Sequence, residues 1–467
     1  MRRWIAWNVL FRLQESLKGH ATFSILKEME RADRLSREEL EQLQAARLQD
    51  LVSYCYAHVP YVRNLMCEAG VAPSDIRGPR DLARLPLMRK ADVRKNRALL
   101  HSGAAGKLSS LSTGGSTGEP LIFDISRRRT ASRVACRQRV SRWWGVSVGD
   151  PELALWGSPV ELTRQDRLRT IRDWFLATRL LSAFEMNEET MSRYLDILEA
   201  SHFRQIFGYP SAVYLLCTQA RKQRRDLRRL GIQAVFVTGE VLFPYQRELI
   251  NETLNCPVAD GYGGRDSGFI AHECPQGGMH VMADAIIAEI VDSEGRPVPT
   301  GEVGEIVVTD LYSHEAPFLR YATGDRAALS DRPCACGRAL PLLARIEGRS
   351  NDSIVTPDGR TINSLSVIYV VREVDGIEQF RVIQRDVDRL HVQIVRNGQY
   401  PAAAEERIRD GWARLFRASI QVTFEYPAEI PLERAGKFRH IVSELPALRS
   451  RGRTEGDHAA TVQSGRA

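Results

Sequence analysis

Residues 111–120 read Leu111-Ser112-Thr113-Gly114-Gly115-Ser116-Thr117-Gly118-Glu119-Pro120. Three glycines and four hydroxyl side chains stand between Lys107–Ser110 and the apolar run Leu121-Ile122-Phe123. Glycines permit a tight loop whose backbone N–H groups converge, and hydroxyls add donors, which together suit a polyphosphate. No Gly-Lys-Ser/Thr closes the stretch, so it is not a Walker A loop. Alone it reads equally well as a Ser/Thr/Gly linker. Its meaning depends on what surrounds it.

Downstream, from about residue 150 to 320, strand-like runs alternate with helical ones. Leu153-Ala154-Leu155, Gln205-Ile206-Phe207-Gly208-Tyr209 and Val235-Phe236-Val237-Thr238-Gly239 read as strands ending in turns. Glu188 to His202 and Ser211 to Arg229 read as helices. This alternation predicts an α/β domain, whose ligand-binding loops lie beyond the carboxyl ends of the strands. Beyond 280, two strands (285–291 and 305–311) flank the turn-rich Asp292-Ser293-Glu294-Gly295-Arg296-Pro297, which predicts antiparallel pairing. A break near 348–352 precedes a compact α+β unit. It has hairpin strands at 380–383 and 390–395, a helix over 405–416 and a last strand over 420–426. Upstream, residues 25–75 read as helices, with a capping box at Ser36-Arg37-Glu38-Glu39. The expected division is an α/β unit over 1–349, a small α+β unit over 350–445 and a disordered tail over 446–467.

A chain of 467 residues with 43% apolar and 26% charged residues is a multi-domain globular protein by composition. No run of about eighteen apolar residues is present, so no spanning helix is expected. Residues 1–12 are basic then apolar, with Arg12 interrupting and no small-residue cleavage site. They read as an amphipathic helix packed on the body or resting on a membrane surface, with packing favoured. The cytoplasm is the expected location. The net charge of +7 suits anionic ligands. The basic run Arg221-Lys222-Gln223-Arg224-Arg225-Asp226-Leu227-Arg228-Arg229 lacks interleaved aromatics and reads as a solvated helix face, not a nucleic-acid surface. Cys55, Cys67, Cys136 and Cys217, four of the eight cysteines, read as core thiols.

Further glycine- and carboxylate-bearing segments follow in order: Thr238-Gly239-Glu240, Gly261-Tyr262-Gly263-Gly264-Arg265-Asp266, Arg320-Tyr321-Ala322-Thr323-Gly324-Asp325, Arg345–Asp352, and Ala435-Gly436-Lys437-Phe438-Arg439. Each alone reads as a turn. In this order and at these intervals the set resembles the adenylate-forming superfamily of acyl-CoA synthetases, over about residues 25 to 445. Within it, the chain is most similar to phenylacetate–CoA ligases and the related capsule-biosynthesis adenylating proteins. The segment Leu85–Arg94 is also similar to that branch.

The resemblance implies a large α/β domain with a mobile α+β lid. It implies ATP-dependent activation of a small carboxylic acid to an acyl adenylate, followed by transfer to a thiol, with Mg²⁺ and coenzyme A as further participants. Ser112, Thr113, Gly114, Gly115, Ser116, Thr117 and Gly118 would wrap the β and γ phosphates. Gly239, Glu240 and Gly263 would contribute to the nucleotide site. Tyr262 would lie beside the adenine, Asp325 would accept from the ribose hydroxyls, and Arg349 would lie near ribose and phosphate. Asp352 would be the hinge, and Lys437 would bridge the substrate carboxylate and the α-phosphate. Asp266 stands where the superfamily usually has a Glu that helps hold Mg²⁺, and Arg265 replaces a small residue.

Cys274 and His280 flank Pro275–Met279, and Cys334 and Cys336 form a Cys-x-Cys pair. Three thiolates and one imidazole satisfy tetrahedral zinc, and four protein ligands would make the site structural. His272 and Cys256 are alternative ligands. Trp156, Phe207, Tyr209 and Phe236 read as core aromatics, with a substrate pocket as the other reading.

Overall fold

The computed structural model describes residues 6–113, 121–156, 177–183, 186–349, 354–358, 361–362, 367–368, 370–371, 374–416, 418–431 and 438–445. After short helical turns over Ala6–Phe11 and Arg12–Leu17 come three longer helices: α1 (Thr22–Ala32), α2 (Arg37–His58) and α3 (Pro60–Glu68). The capping box forms as read. The Glu39 N–H donates to Ser36 Oγ at 3.2 Å, and the Ser36 N–H donates to the Glu39 carboxylate at 2.8 Å. Leu40, Leu48, Leu51 and Val52 are buried on one side of α2. On α3, Val62 and Met66 face inward, which leaves Cys67 exposed rather than in the core. Cys55, Cys136 and Cys217 are buried.

Next come β1 (Ser109–Ser112) and β2 (Ile122–Ile125), an antiparallel pair with Ser112 opposite Ile122. The pair continues into Thr113 and Leu121. Thr113 N–H donates to the Leu121 carbonyl at 3.0 Å, and Leu121 N–H donates to Thr113 Oγ1 at 2.9 Å. The base of the Gly/Ser/Thr loop is therefore closed by hydrogen bonds.

After α4 (Arg127–Trp143), the chain alternates through β3 (Glu152–Leu155), β4 (Thr178–Leu181), α5 (Glu188–Ala200), β5 (Gln205–Gly208), α6 (Pro210–Lys222), β6 (Ala234–Thr238), α7 (Pro244–Leu254) and β7 (Val258–Gly264). Strands β3, β4, β5, β6 and β7 pair in parallel. Then β8 (Gly268–Glu273), β9 (Met279–Val281), β10 (Ile286–Val291), β11 (Gly304–Asp310), β12 (Tyr321–Ser330) and β13 (Leu342–Arg349) extend the same sheet. Here β7–β8, β8–β9, β9–β13, β10–β11 and β11–β12 pair antiparallel. Among the described residues this is one eleven-stranded sheet, ordered β10-β11-β12-β13-β9-β8-β7-β6-β5-β3-β4.

The parallel half packs Leu153, Ile206 and Val235 against Leu195, Leu198, Val213, Leu216 and Ile250 of α5, α6 and α7. The antiparallel half packs Ile270, Ile286 and Ile306 with Ala131, Ala135 and Val140 of α4 and Met29 of α1. Helix α6 ends at Lys222, earlier than the Arg229 expected. Arg224 turns left-handed at φ 56°, and the Arg225 N–H closes on the Ala220 carbonyl. The basic run behind it lies beside acids: Arg221 pairs with Glu252 at 2.5 Å, and Arg225 pairs with Asp196 and Glu199 at 2.6 and 2.8 Å.

The remaining strands are β14 (Ile354–Val355), β15 (Thr361–Ile362), β16 (Ile377–Asp386) and β17 (Arg389–Arg396), followed by α8 (Ala404–Phe416), β18 (Gln421–Glu425) and β19 (Ile441–Ser443). β16 and β17 form the expected hairpin. β18 joins β17 in parallel and β19 joins β16 in parallel, giving the order β18-β17-β16-β19. Helix α8 buries Ile408, Trp412 and Phe416. The strand ending at Glu425 is thus not the last, because Ile441–Ser443 adds a short edge strand. By internal contact the chain forms two units, Met1–Gly348 with Pro431–Phe438, and Arg349–Ile430 with Arg439–Ala467. The architecture is mixed α/β, a large mixed sheet with a separate small C-terminal sheet.

Candidate functional site

The turn between β7 and β8 presents Asp266. Its Oδ1 accepts the Ser267 N–H at 3.0 Å, and its Oδ2 accepts the Tyr321 hydroxyl at 2.6 Å. The turn itself is held from α4. Arg129 donates Nη2 to the Asp266 carbonyl and Nε to Asp310 Oδ2, both at 2.6 Å. Arg129 and Asp310 are buried, so the pair is shielded from solvent. Arg133 donates to the Arg265 carbonyl at 2.6 Å. Arg265 in turn donates to the Ser112 carbonyl at 3.2 Å, which brings the end of β1 to this turn. A Cβ at Gly264 would stand 2.9 Å from Asp266 Oδ1, so a side chain there would displace the carboxylate.

Tyr262 lies on β7 and Asp325 on β12. The Tyr262 hydroxyl donates to Asp325 Oδ2 at 2.8 Å. The turn before Asp325 is built by Gly324 at φ 83° and by Thr323, whose Oγ1 donates to the Ile306 carbonyl at 2.9 Å and accepts the Asp325 N–H at 3.1 Å. Arg320, at the head of the same motif, is a buried structural residue. It pairs with Glu289 at 3.0 Å and donates to the carbonyls of Leu85 and Gly295 at 2.6 and 2.7 Å.

At the carboxyl end of β6, Gly239 adopts φ 85°, and a Cβ there would lie 3.1 Å from the Tyr209 ring. Glu240 follows. Its Oε2 accepts the Ser211 N–H at 3.1 Å, at the N-terminus of α6, where the helix dipole favours an anion. Its Oε1 accepts the Phe438 N–H at 3.0 Å. Trp156 stacks on Tyr209 at 4.1 Å and tilts against Phe207 at 5.1 Å. Three of the four aromatics singled out therefore gather at the strand ends, whereas Phe236 is buried with Val146 and Ala259.

The second cluster lies where β9 meets β13. Cys274 Sγ is 3.6 Å from Cys334 Sγ, and His280 Nε2 is 3.1 Å from Cys336 Sγ. All four ligand atoms lie within 4.8 Å of one another. Tetrahedral bonds of about 2.3 Å to sulfur put neighbouring ligands about 3.8 Å apart, so the spacing fits one ion. His280 Nδ1 is 3.1 Å from the Leu340 carbonyl, the partner that would leave Nε2 as the lone-pair donor. Burial holds this imidazole below its usual range, favouring the neutral form a metal needs. A Cβ at Gly278 would stand 2.6 Å from Cys334 Sγ, so the cluster requires glycine there. His272 and Cys256 stand outside it. The residues fit a closed four-ligand metal centre.

Comparison with known proteins places these features. Residues 354–444 match the family model of the CapK C-terminal domain. The phenylacetate-coenzyme A ligase of Thermus thermophilus is 24% identical over 454 residues, covering 87% of this chain and 97% of that protein. Protein CapK of Staphylococcus aureus is 21% identical over 411 residues, covering 87% and 90%. Among solved structures, 2-hydroxyisobutyryl-CoA ligase in the postadenylation state, in complex with R3-HIB-AMP, superposes with a TM-score of 0.73 at 22% identity, covering 89% of this chain and 92% of that one. Over most of its length the chain is similar to the adenylate-forming superfamily, in its phenylacetate–CoA ligase and CapK branch.

The large unit brings together Ser112, Tyr262, Gly263, Asp266 and Asp325, along with the Gly239-Glu240 turn. Gly114–Gly118, Asp352 and Lys437 lie outside the described residues. Arg349 is the last residue of β13. Sequence reading did not single out Arg129, Asp310 and Tyr321 as supports of Asp266. Tyr321 stood inside a quoted motif, but its partner is 55 residues away. Arg129 is one of seven arginines in α4, and no local signal separates it from its exposed neighbours.

Proposed function

We propose that the chain activates a carboxylic acid with ATP and passes the acyl group to the thiol of coenzyme A. The observation that carries this reading is a pair of carboxylates held by tyrosine hydroxyls in one unit, Asp325 by Tyr262 and Asp266 by Tyr321. A carboxylate cannot be displaced directly, because oxide would have to leave. Attack of the acid oxygen on the α-phosphorus forms a P–O bond and expels pyrophosphate with its electron pair. The thiolate then attacks the acyl carbon and AMP leaves.

Both partners in the first step are anionic, so positive charge must be supplied as they meet. Lys437 would bridge the acid and the α-phosphate. Asp266 would hold Mg²⁺: each of its oxygens takes one donor, which leaves lone pairs for a hard cation. Bound Mg²⁺ would neutralise phosphate charge. The loop over Ser112–Gly118, closed at its base by Thr113 and Leu121, would cradle the β and γ phosphates. Asp325 would accept from the ribose beside Tyr262, with Gly239, Glu240, Gly263 and Arg349 completing the nucleotide site. The Cys274–His280–Cys334–Cys336 cluster would hold structural Zn²⁺.

An arylacetic acid is the first substrate class to test, given the phenylacetate–CoA ligase relatives and the aromatic stack at the strand ends. A panel of acids screened for acid-dependent pyrophosphate exchange identifies the acid, and mass spectrometry then detects the thioester when coenzyme A is added. Absence of acid-dependent pyrophosphate exchange would overturn the reading. The CapK match over residues 354–444 supports a second reading, with adenylation retained and a capsular saccharide as acceptor. Acid-dependent pyrophosphate exchange without any thioester on adding coenzyme A would favour it.

A further inference from the structure

A wide helical turn over Ala6–Phe11 runs directly into the helical turn Arg12–Leu17. One side of this segment is fixed to the body. Trp7, Phe11 and Phe23 pack in a triangle with ring centroids 5.1 to 5.5 Å apart. The Arg142 guanidinium covers Trp7 at 4.3 Å, and Arg12 covers Phe23 at 4.7 Å. Ala6, Phe11 and Glu15 are buried.

The other side is apolar and open. Val9, Leu13 and Leu17, spaced four residues apart, are 46%, 56% and 79% exposed. Their spacing puts them in one row. In sequence the charge flanking the row is mostly basic. Glu15 is the only acid in residues 1–27, against Arg2, Arg3, Arg12, Lys18 and Lys27. Glu15 points inward, accepting the Thr22 hydroxyl at 2.5 Å, with His20 Nδ1 at 3.1 Å and Lys18 Nζ at 3.4 Å. No carboxylate of this stretch opposes an approaching anionic surface.

From this we infer that the Val9–Leu13–Leu17 face docks in the surface of an anionic lipid bilayer, with the segment lying in the membrane plane. A short apolar row flanked by basic residues is the composition of interfacial segments. Three aliphatic side chains fall far short of the roughly 1,200 Å² that a stable protein interface buries, which disfavours a second copy as occupant. Among the described residues no helix is long and apolar enough to cross a membrane, so the contact is peripheral. It is independent of the adenylation chemistry, because none of these residues belongs to the nucleotide site.

The test is co-sedimentation of the full chain with vesicles of phosphatidylcholine alone or with about one third phosphatidylserine. The double variant Leu13→Ser/Leu17→Ser is run beside it, and circular dichroism checks its fold. Expected is sedimentation with the anionic vesicles only, weakened by 0.5 M salt and reduced about tenfold or more in the double variant, with acid-dependent pyrophosphate exchange unchanged. Failure to sediment, equal binding to both vesicle types, or full binding by the double variant would overturn the inference. So would a shift from dimer to monomer in the double variant on gel filtration, which would assign the face to a second copy.

Discussion

Tyr321 donates its hydroxyl proton to Asp266 across 2.6 Å, joining the head of β12 to the turn between β7 and β8. The bond anchors the Asp266 carboxylate through Oδ2. Replacing Tyr321 with Phe keeps the ring, which packs on Phe318 at 4.8 Å, and removes this bond. A hydrogen bond to a charged group contributes about 1.5–3 kcal/mol, so acid-dependent pyrophosphate exchange should fall roughly tenfold to a hundredfold. Asp266→Ala should fall further. An unchanged exchange rate in Tyr321→Phe would remove the tyrosine from the chemistry.

Lys437→Ala should abolish adenylation while leaving ATP binding nearly intact, because the lysine is assigned to the charge that builds during phosphoryl transfer. Calorimetric titration of ATP and a pyrophosphate-exchange assay separate the two. Loss of both would make the residue a binding group instead.

The purified chain should carry about one zinc per molecule, measurable by plasma mass spectrometry. Gly278→Ala should lower that occupancy without altering any ligand, because its new Cβ would stand 2.6 Å from Cys334 Sγ. Removing the ion with a chelator should lower the melting temperature, since the cluster ties the turn after β8 to a loop about sixty residues downstream.

The β1–β2 hairpin should show an acid-sensitive link through Asp124. Burial alone would raise its carboxyl, but Arg97, Ser110 and His101 outweigh this and hold it well below the usual carboxylate range. The Arg97 contacts are 2.7 Å. The unfolded chain titrates near 3.9, so it binds more protons than the native chain below that value. The stabilisation is therefore complete above about pH 4 and is lost as pH falls through the native value. Asp124→Asn should cost about 2 kcal/mol at pH 7 and visibly less at pH 3, by urea denaturation at both.

The parallel half of the sheet was legible because its strands are short apolar runs ending in Gly or an aromatic turn, and each helix between them carries its own periodicity. The carboxylates of the candidate site were legible because each sits in a local glycine turn. Their supports were not. Arg129 looks like any surface arginine until Asp310 approaches from another strand. Cys67 looked like a core thiol from its apolar neighbours, yet Val62 and Met66 occupy the inward positions of that helix. The edge strand Ile441–Ser443 is three residues long and owes its form to pairing with β16, a partner no local pattern announces.

Strand β7 obeys two neighbours at once, running with β6 on one side and against β8 on the other. Length in this strand is consequently fixed in a way composition is not. Adding or deleting a single residue within 258–264 would turn Tyr262 to the opposite face of the sheet and part it from Asp325. A single-residue insertion there would separate these two side chains while leaving most of the core intact.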